Sequence, residues 1–286
     1  MSADGAFGLS IIAFVGSVFS PYYHWSGGAN PENHCAFNVA LYGKGVRRWT
    51  MTERGQKVVA RDRVSFSVGP SSIRWDGTAF LLDIDEIAVP LPRRVRGTIR
   101  VVPKALNDRY FALDSQALHH WMPLAPTAHV EVEFSHPSCR WAGDGYVDTN
   151  SGVEPIARSF ATWDWSRGNI QNGCAVLYDT VEKDGTNRQI ATRFTDAGSN
   201  EDFVPPPRVA LPKTRWRIGR QTQADPGGMV RVVNTLEDTP FYARSVLETR
   251  LLGQQTMAMH ESMSVDRFDT PLVRLMLPWR MPRRFF

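Results

Sequence analysis

Residues 72–89, SIRWDGTAFLLDIDEIAV, decide the fold class. Apolar and polar side chains alternate on both sides of the pair Asp76-Gly77, and a period of two is typical of a half-buried β-strand. An Asp-Gly pair between two such runs is a strong hairpin signal, because both residues tolerate the positive φ angles of a tight turn. The segment therefore predicts two antiparallel strands joined by a short turn.

The same pattern recurs along the chain, which predicts a mainly β protein. A second Asp-Gly pair, Asp184-Gly185, again separates two strand-like runs. At 286 residues the chain exceeds a typical single domain. We therefore predict two antiparallel β-barrel or sandwich-like domains, residues 1–152 and 153–286. The other strand-like runs are VVARDRVSFSVG (58–69), GTIRVVP (97–103), HVEVEFS (129–135) and NGCAVLYDTVEKDGTNRQIATRF (172–194).

One segment between the two predicted domains favours a helix instead. It is VEPIARSFATWDWSRG, residues 153–168. Pro155 falls in its first turn and Gly168 near its end, as the end signals of a helix require. We predict that a helix here separates the two β domains.

Composition and charge narrow the classes of partner. Hydrophobic residues make up 42% and aromatic residues 11%, as expected of a folded chain. The formal net charge is only +4 and the basic residues are scattered, so nucleic acid is not an expected partner. The three cysteines, Cys35, Cys139 and Cys174, are an odd number without CxxC spacing, which argues against a disulfide framework and a zinc site. Neither a phosphate-binding loop nor a dinucleotide fingerprint stands in its required context, and we predict no metal and no cofactor.

Two terminal segments are apolar enough to contact lipid. GLSIIAFVGSVFSPYY, residues 8–23, is too short to span a bilayer and has no basic residue before it. It predicts a buried strand rather than a signal peptide. LVRLMLPWRMPRRFF, residues 272–286, mixes arginines with Leu, Met, Trp and Phe. That mixture suits an anionic membrane surface, and it suits equally a C-terminal strand and tail packed on the domain with solvated arginines.

Three carboxylates in residues 83–86, DIDE, form one candidate cation site. In a strand, Asp83 and Asp85 face one way and Glu86 faces the other. A solvated sheet edge with arginines nearby is therefore favoured over a divalent-cation site.

Two spaced pairs form the other candidate site: His119 with Trp121, and Tyr146 with Asp148. Each pair shares one face of a strand because side chains repeat with a period of two. If the strands are neighbours, all four side chains point into one barrel mouth. From spacing alone, ordinary core aromatics and a turn beginning at Asp148 are the favoured interpretation. The doubled His119-His120 leaves open which imidazole matters, and the spacing to Trp121 favours His119.

Several longer segments resemble a known family, the acyclic carotenoid 1,2-hydratases of phototrophic bacteria, also called hydroxyneurosporene synthases. The resemblance runs from Gly8 to about Gly168 and continues more loosely toward the C-terminus. It implies two lipocalin-like β-barrel domains. It also implies addition of water across the terminal C1=C2 bond of neurosporene or lycopene without a cofactor. The segments are GLSIIAFVGSVFSPYYHW, NHCAFNVALYGKGVRRWTMTERG, DIDEIAVPLPRRVRG, HHWMPLAP, GYVDTNSG and FATWDWSRG.

The resemblance also implies the catalytic residues, because the family's HxW and YxD pattern falls on the two spaced pairs. Hydration of an isolated alkene begins with protonation of carbon. Asp148 supplies the proton if an aromatic environment keeps it protonated. Trp121 and Tyr146 then face the tertiary carbocation, and His119 holds the water and takes its proton.

Two other functions fit the same features. One is a non-catalytic lipocalin-like carrier of a polyene or another lipid, and the other is a cofactor-free pericyclase. A carrier tolerates Asp148→Asn, and cyclisation leaves the substrate mass unchanged. Because a long hydrocarbon substrate enters from lipid, we expect a cytoplasmic enzyme in peripheral contact with the inner or photosynthetic membrane. The sequence leaves the oligomeric state open.

Overall fold

The structure is a computed structural model that describes residues 1–284. Strands dominate, which confirms the prediction of a mainly β protein. The chain forms two compact units. The predicted division at residue 152 stays a prediction. The first unit contains Met1–Pro103, Ala128–Gly145 and the stretch from Arg274, and the second contains Lys104–Thr127 and Tyr146–Val273.

The regular elements are numbered here in chain order. The helices are α1 (Pro21–Trp25), α2 (Ile156–Ser159), α3 (Val265–Phe268) and α4 (Pro271–Arg280), with 3₁₀ turns at Pro31–Asn33 and Gln56–Val58. The strands are β1 (Gly8–Phe14), β2 (Ala36–Tyr42), β3 (Arg48–Met51), β4 (Glu53–Arg54), β5 (Val59–Arg61), β6 (Ser65–Val68), β7 (Ser71–Trp75), β8 (Phe80–Ile87), β9 (Arg94–Pro103), β10 (Phe111–Ala112), β11 (His119–His136), β12 (Ser138–Gly152), β13 (Phe160–Ile170), β14 (Gly173–Glu182), β15 (Asn187–Thr195), β16 (Asn200–Asp202), β17 (Arg208–Leu211), β18 (Arg220–Gln223), β19 (Arg231–Asp238), β20 (Tyr242–Leu251), β21 (Gln254–Ser264) and β22 (Arg283–Arg284).

The first unit contains the predicted Asp76-Gly77 hairpin. β7 and β8 pair antiparallel, with Trp75 opposite Phe80. The Asp76 carboxylate accepts the backbone N–H groups of Thr78 and Ala79, each at 2.8 Å. These bonds hold the pKa of Asp76 at about 2. The antiparallel series continues from β5 through β9 and on to the last part of β11.

The N-terminal run of the first unit is a strand, as predicted. β1 pairs antiparallel with β2, whose side chains are all buried. β1 itself is mostly half-buried rather than buried. It is one of the two outer strands of the three-stranded sheet β1-β2-β3.

Two of the three DIDE carboxylates are bound by arginines. Asp85 lies 2.6 Å from Arg94, as the prediction of nearby arginines requires, but its strand β8 pairs with β7 and β9 and is therefore not the predicted sheet edge. Glu86 differs from the prediction, because it is buried and forms a bidentate ion pair with Arg54 at 2.8 and 2.9 Å. Burial nevertheless raises the pKa of Glu86. Within residues 1–284, no group of three or more His, Cys, Asp or Glu side chains is arranged to hold a metal ion.

The second unit is built on a seven-stranded antiparallel sheet with the order β16-β15-β14-β13-β21-β20-β19. Over residues 1–284 no pairing joins β16 to β19, so the sheet is open and the predicted closed barrel is not seen. The two edge strands, β16 and β19, explain why the sheet stays open. β16 consists of three exposed residues, and two register shifts interrupt the pairing of β19 with β20.

The helix predicted for residues 153–168 is wrong except for the single turn of α2. From Phe160 onward the chain is strand β13, which pairs with β14 on one side and β21 on the other. Aromatic and β-branched residues favour strands, and pairing on both edges outweighs the helix-end signals of Pro155 and Gly168. Gly168 lies within the strand, where a Cβ would come 2.8 Å from Thr256 Cγ2.

The C-terminal segment is mainly helical rather than a strand. α4 buries Val273 and Leu277, and it exposes Leu275, Met276 and Trp279. The short strand β22 follows and pairs with β4. The last two residues of the predicted membrane-contacting tail, 285 and 286, lie outside the described residues. Among residues 1–284, every helix is too short or too polar to cross a membrane.

Candidate active site

Three of the four predicted site residues meet in the second unit. Tyr146 and Asp148 lie two residues apart on β12, and therefore on one face. Trp121 lies on β11, which pairs with β12. The indole N–H of Trp121 donates to the Tyr146 hydroxyl and to the Asp148 carboxylate, both at 3.0 Å. The HxW and YxD pairs are thus joined through hydrogen bonds.

The hydrogen bonds to Asp148 converge on one of its two oxygens. Oδ2 accepts from Trp121 Nε1 at 3.0 Å and from the Tyr146 hydroxyl at 3.1 Å. A weaker third bond comes from Asn150 Nδ2 at 3.4 Å. Within residues 1–284, Oδ1 has no hydrogen-bond partner. Because donors occupy Oδ2, the proton of the neutral acid belongs on Oδ1.

Aromatic rings surround this carboxyl group. The ring centroids of Tyr146 and Trp165 lie 5.3 Å apart, and those of Trp121 and Tyr178 lie 5.6 Å apart. Desolvation raises the pKa of Asp148 to about 6, although the bonds from Tyr146 and Trp121 act to lower it. Asp148 keeps part of its surface exposed. It is therefore an acid that holds its proton at mildly acidic pH and that a ligand can reach.

A row of side chains crosses the large sheet beside this cluster. Strand register places Tyr178 opposite Trp165, Trp165 opposite Glu261, and Glu261 opposite Arg244. Directly opposite residues on antiparallel strands lie on the same face. The row therefore passes from two aromatic rings to a carboxylate and a guanidinium. In addition to desolvation, the negative charge of Glu261 raises the pKa of Asp148.

His119 is buried and held by other partners. Its Nδ1 lies 2.6 Å from Asp114 Oδ2, and its Nε2 lies 3.0 Å from the Glu154 carbonyl oxygen. Burial acts to raise the pKa of Asp114, but hydrogen bonds, including the one from His119, lower it overall. An ionised carboxylate and a carbonyl oxygen only accept, so each ring nitrogen of His119 faces an acceptor. Both nitrogens of His119 are thus engaged.

The end of β12 is shaped to accommodate this imidazole. A Cβ at Gly152 would lie 2.4 Å from His119 Cδ2, so a side chain there would displace the ring. His119 and Trp121 share a face of β11, whereas His120 faces the other side. The structure therefore groups His119, and not His120, with Trp121.

Trp121 is completely buried, with 0% of its surface exposed. Its ring contacts Phe111 at a centroid distance of 5.0 Å, in addition to Tyr178. Its main contribution to the site is therefore the N–H that it donates to Asp148. Tyr146 is only half-buried, and the guanidinium carbon of Arg167 lies 5.6 Å from its ring centroid.

Sequence reasoning missed four residues of this region. Tyr178 alternates within a predicted strand, so periodicity could have found it. Trp165 stands in FATWDWSRG, which was predicted to be helical. Glu261 carries no local signal, because strand register alone places it beside Trp165. Asp114 is only five residues from His119, but it precedes β11, so strand periodicity does not relate the two.

A second acid with a raised pKa lies on the opposite face of β13. Asp164 accepts a hydrogen bond from the Ser262 hydroxyl, and His260 Nε2 lies 3.8 Å from Asp164 Oδ1. Desolvation raises the pKa of Asp164 to about 7 and lowers that of His260 to about 4. The cavity beside them, about 10 Å³, holds about one water molecule.

The chain is similar to known carotenoid enzymes over nearly its whole length. The family described as "Carotenoid hydratase CrtC" matches residues 11–286. The acyclic carotenoid 1,2-hydratase of Thiocapsa roseopersicina is 54% identical over 99% of this chain and 71% of that protein. The hydratase of Rubrivivax gelatinosus is 53% identical over the same shares. The hydratase of Cereibacter sphaeroides is 39% identical over 96% of this chain and 98% of that protein.

Solved structures share the fold at low sequence identity. A putative AttH from Nitrosomonas europaea is 12% identical, with a TM-score of 0.62 over 92% of this chain and 89% of that chain. CghA, solved with Sch210972, is also 12% identical, with a TM-score of 0.51 over 92% of this chain and 86% of that chain. Likeness at this level concerns the fold alone.

Proposed function

Because the chain belongs to the carotenoid 1,2-hydratase family, as its segments predict, we propose that it hydrates the terminal C1=C2 bond of neurosporene or lycopene by cofactor-independent acid catalysis. Its activity is that of a hydro-lyase in carotenoid biosynthesis. The observation that supports this mechanism best is the hydrogen-bond pattern on Asp148. Three donors hold Oδ2 and leave Oδ1 to carry a transferable proton.

Protonation of carbon is the first difficult step, because an isolated alkene has no carbonyl group to polarise. Asp148, with a pKa of about 6, suits this task because a general acid works best when its pKa lies near the working pH. After the transfer, the donors on Oδ2 stabilise the carboxylate. Burial raises the pKa of Tyr146 well above its ordinary value, so the phenol stays neutral and keeps donating.

The tertiary cation at C1 needs a negative electrostatic surface that does not react with it. Aromatic faces supply such a surface, at roughly 0.5–2 kcal/mol for each ring. Tyr146, packed on Trp165, is the best-placed ring in the cluster. The predicted cation-facing role of Trp121 stays a prediction, because its buried position gives most support to its role as a donor to Asp148.

The role predicted for His119, to bind the water and take its proton, also stays a prediction. To perform it, His119 would have to release either Asp114 or the Glu154 carbonyl oxygen. Its contacts support a positioning role, in which it fixes the start of β11 and therefore Trp121.

Hydration of a carotene by purified protein tests the proposal. Incubation with lycopene in detergent, without a cofactor, should yield a product heavier by one water. Asp148→Asn should reduce this activity to background with little change in thermal melting at pH 6. A pericyclase would leave the mass unchanged, and a carrier would convert nothing. Near-normal hydration by folded Asp148→Asn would contradict the proposal.

The proposed architecture comprises two lipocalin-like domains divided near residue 152. The antiparallel sheets of both units support it, since hairpin-connected strands are the basis of such domains. Mild proteolysis should then cut preferentially between residues 150 and 156. Preferential cleavage inside β13 would argue against this division.

Peripheral contact of a cytoplasmic enzyme with lipid is part of the proposal, since the substrate partitions into membranes. Helix α4 supports it, because Leu275 and Trp279 expose 64% and 79% of their surfaces beside Arg280. The protein should co-sediment with anionic phospholipid vesicles at low salt. A Leu275→Ser, Trp279→Ser double variant should remain in solution. Equal sedimentation of both proteins would contradict a role for α4.

A further inference from the structure

The water that attacks the carbocation must lose a proton, and Trp121, Tyr146 and His119 are poorly suited to accept it. The indole nitrogen of Trp121 is a donor only. The Tyr146 hydroxyl already donates its proton to Asp148. Both nitrogens of His119 are engaged by Asp114 and the Glu154 carbonyl. A base from another element of the second unit would complete the reaction.

Glu261 is a carboxylate that shares a face of the sheet with the aromatic cluster. It lies opposite Trp165 on one side and opposite Arg244 on the other. Its Oε1 lies 2.8 Å from both Nε and Nη2 of Arg244. Within residues 1–284, its Oε2 forms no hydrogen bond. The side chain remains 25% exposed, whereas that of Arg244 is only 3% exposed. A fixed carboxylate with one unoccupied, accessible oxygen therefore stands beside the site.

We propose that Glu261 is the general base of the hydration, with Oε2 binding the attacking water and accepting its proton. The inference rests on the proposed function and adds the second half of its chemistry. The two carboxyl groups have different environments, since Asp148 is surrounded by rings and Glu261 is held by a guanidinium. Such a difference is how proteins separate an acid from a base.

The proposed reaction balances in atoms and charge. The π electrons of C1=C2 take the proton from Asp148 Oδ1, which forms a C2–H bond and leaves a carboxylate and a cation at C1. A lone pair of water then forms the C1–O bond, and the released proton passes to Glu261 Oε2. When that proton returns through solvent to Asp148, one water has been added and the protein is restored.

Deuterium exchange separates the two halves of this reaction. In D₂O, Glu261→Gln should reduce hydration by at least about 100-fold, the usual scale for loss of a general base. Asp148 should still form the cation, which reverts by losing a proton from C2. Recovered carotene should therefore gain deuterium at C2. Asp148→Asn should abolish both exchange and hydration, and persistence of either in that variant would count against the proposed function itself.

Glu237→Gln is the matched control, because Glu237 bonds the same arginine from the next strand, at 3.0 Å from Arg244 Nη1. It should keep hydration within about threefold. If Glu261→Gln does not fold, Glu261→Asp is the variant that tests whether Glu261 is the general base. It should lose roughly 10- to 100-fold of hydration and keep exchange, as expected for a base displaced by about 1 Å. Near-normal hydration in the Glu261 variant that folds would overturn the assignment of Glu261 as the general base. Parallel loss of exchange and hydration in that variant would overturn it too.

Discussion

Asp148 and Asp164 lie on opposite sides of strand β13 in the second unit, and burial raises the pKa of both, to about 6 and about 7. Their neighbours differ. Rings surround Asp148, and its Oδ1 has no partner among residues 1–284. Asp164 is bonded to Ser262 and lies near His260 beside a cavity for about one water.

Under the proposed mechanism, a raised pKa alone does not identify the catalytic acid. Desolvation acts on both groups, and the shift is larger for Asp164. What distinguishes Asp148 is an oxygen free to deliver its proton and aromatic faces that can stabilise a cation. A polyene cannot enter a cavity of about 10 Å³, so we assign Asp164 a structural role.

The largest expected effect is the contrast between the two amide variants. Asp148→Asn should reduce carotene hydration about 1,000-fold or more, because it removes the transferable proton. Asp164→Asn should retain activity within about threefold. Initial rates with lycopene, compared at equal folded fraction, measure both. Comparable losses in the two variants would remove the distinction between the sites.

Tyr146 tests the aromatic side of the comparison. Tyr146→Phe keeps the ring and removes one donor to Asp148 Oδ2, so activity should fall about 10-fold. Tyr146→Ala also removes the ring, and we expect a loss of about 100-fold, since a well-placed ring contributes up to about 2 kcal/mol. The ratio of the two rates isolates the contribution of the ring. Equal losses would mean that only the hydroxyl matters.

Replacing Asp164 should change the pH dependence of stability and leave activity nearly unchanged. Its raised pKa means that the folded state binds the proton more tightly than the unfolded state. Its contribution to stability is therefore complete below pH 3.8 and is lost as pH rises to about 7. The wild type should therefore lose unfolding free energy between pH 4 and pH 8, and Asp164→Asn should remove that loss. At 1.36 kcal/mol for each unit of pKa, the difference between the two proteins is up to about 4 kcal/mol.

His260 acts in the opposite direction and provides the control for that measurement. Its lowered pKa means that stability is lost as pH falls from 6.5 to about 4. Asp148, with its pKa raised to about 6, opposes His260 in this range. In the Asp148→Asn, Asp164→Asn double variant, stability between pH 4 and 6.5 should therefore rise with pH, following His260. Urea unfolding at several pH values tests this, and a variant with the wild-type pH profile would contradict the titration of Asp164.

The smallest expected effect concerns Asn150, the most distant donor to Asp148 Oδ2 at 3.4 Å. Asn150→Ala removes a weak bond to the carboxylate, so the pKa of Asp148 should rise slightly. We expect hydration within about threefold of the wild type and little change in melting temperature. A loss comparable to that of Tyr146→Phe would show that Asn150 has a larger role than its distance indicates.

Local patterns predict much of the fold. The Asp76-Gly77 hairpin and the strand at β1 follow from alternation and turn chemistry, which involve only residues close in sequence. Residues 153–168 could not be assigned in this way. Pro155 and Gly168 satisfy the local rules for helix ends, but pairing of β13 with β14 and β21 determines its structure. Those partners are distant in sequence.

The candidate site shows the same limit. Period two correctly grouped Tyr146 with Asp148, and His119 with Trp121, since each pair lies within one strand. Strand spacing could not show that His119 is occupied by Asp114. Nor could it show that the register of β13 and β21 places Glu261 beside Trp165. The first relation depends on the connection between β10 and β11, and the second on tertiary register. Neither follows a period of two.

The protonation state of Asp148 tests the central claim most directly. Carboxyl ¹³C NMR of Asp164→Asn protein, with the resonance assigned by its loss on Asp148→Asn, should give a titration midpoint near pH 6. Hydration should decline as pH rises through that midpoint, because the acid form delivers the proton. A midpoint near 3.8 in protein that hydrates lycopene at full rate at pH 7 would contradict the assignment of Asp148 as the proton donor.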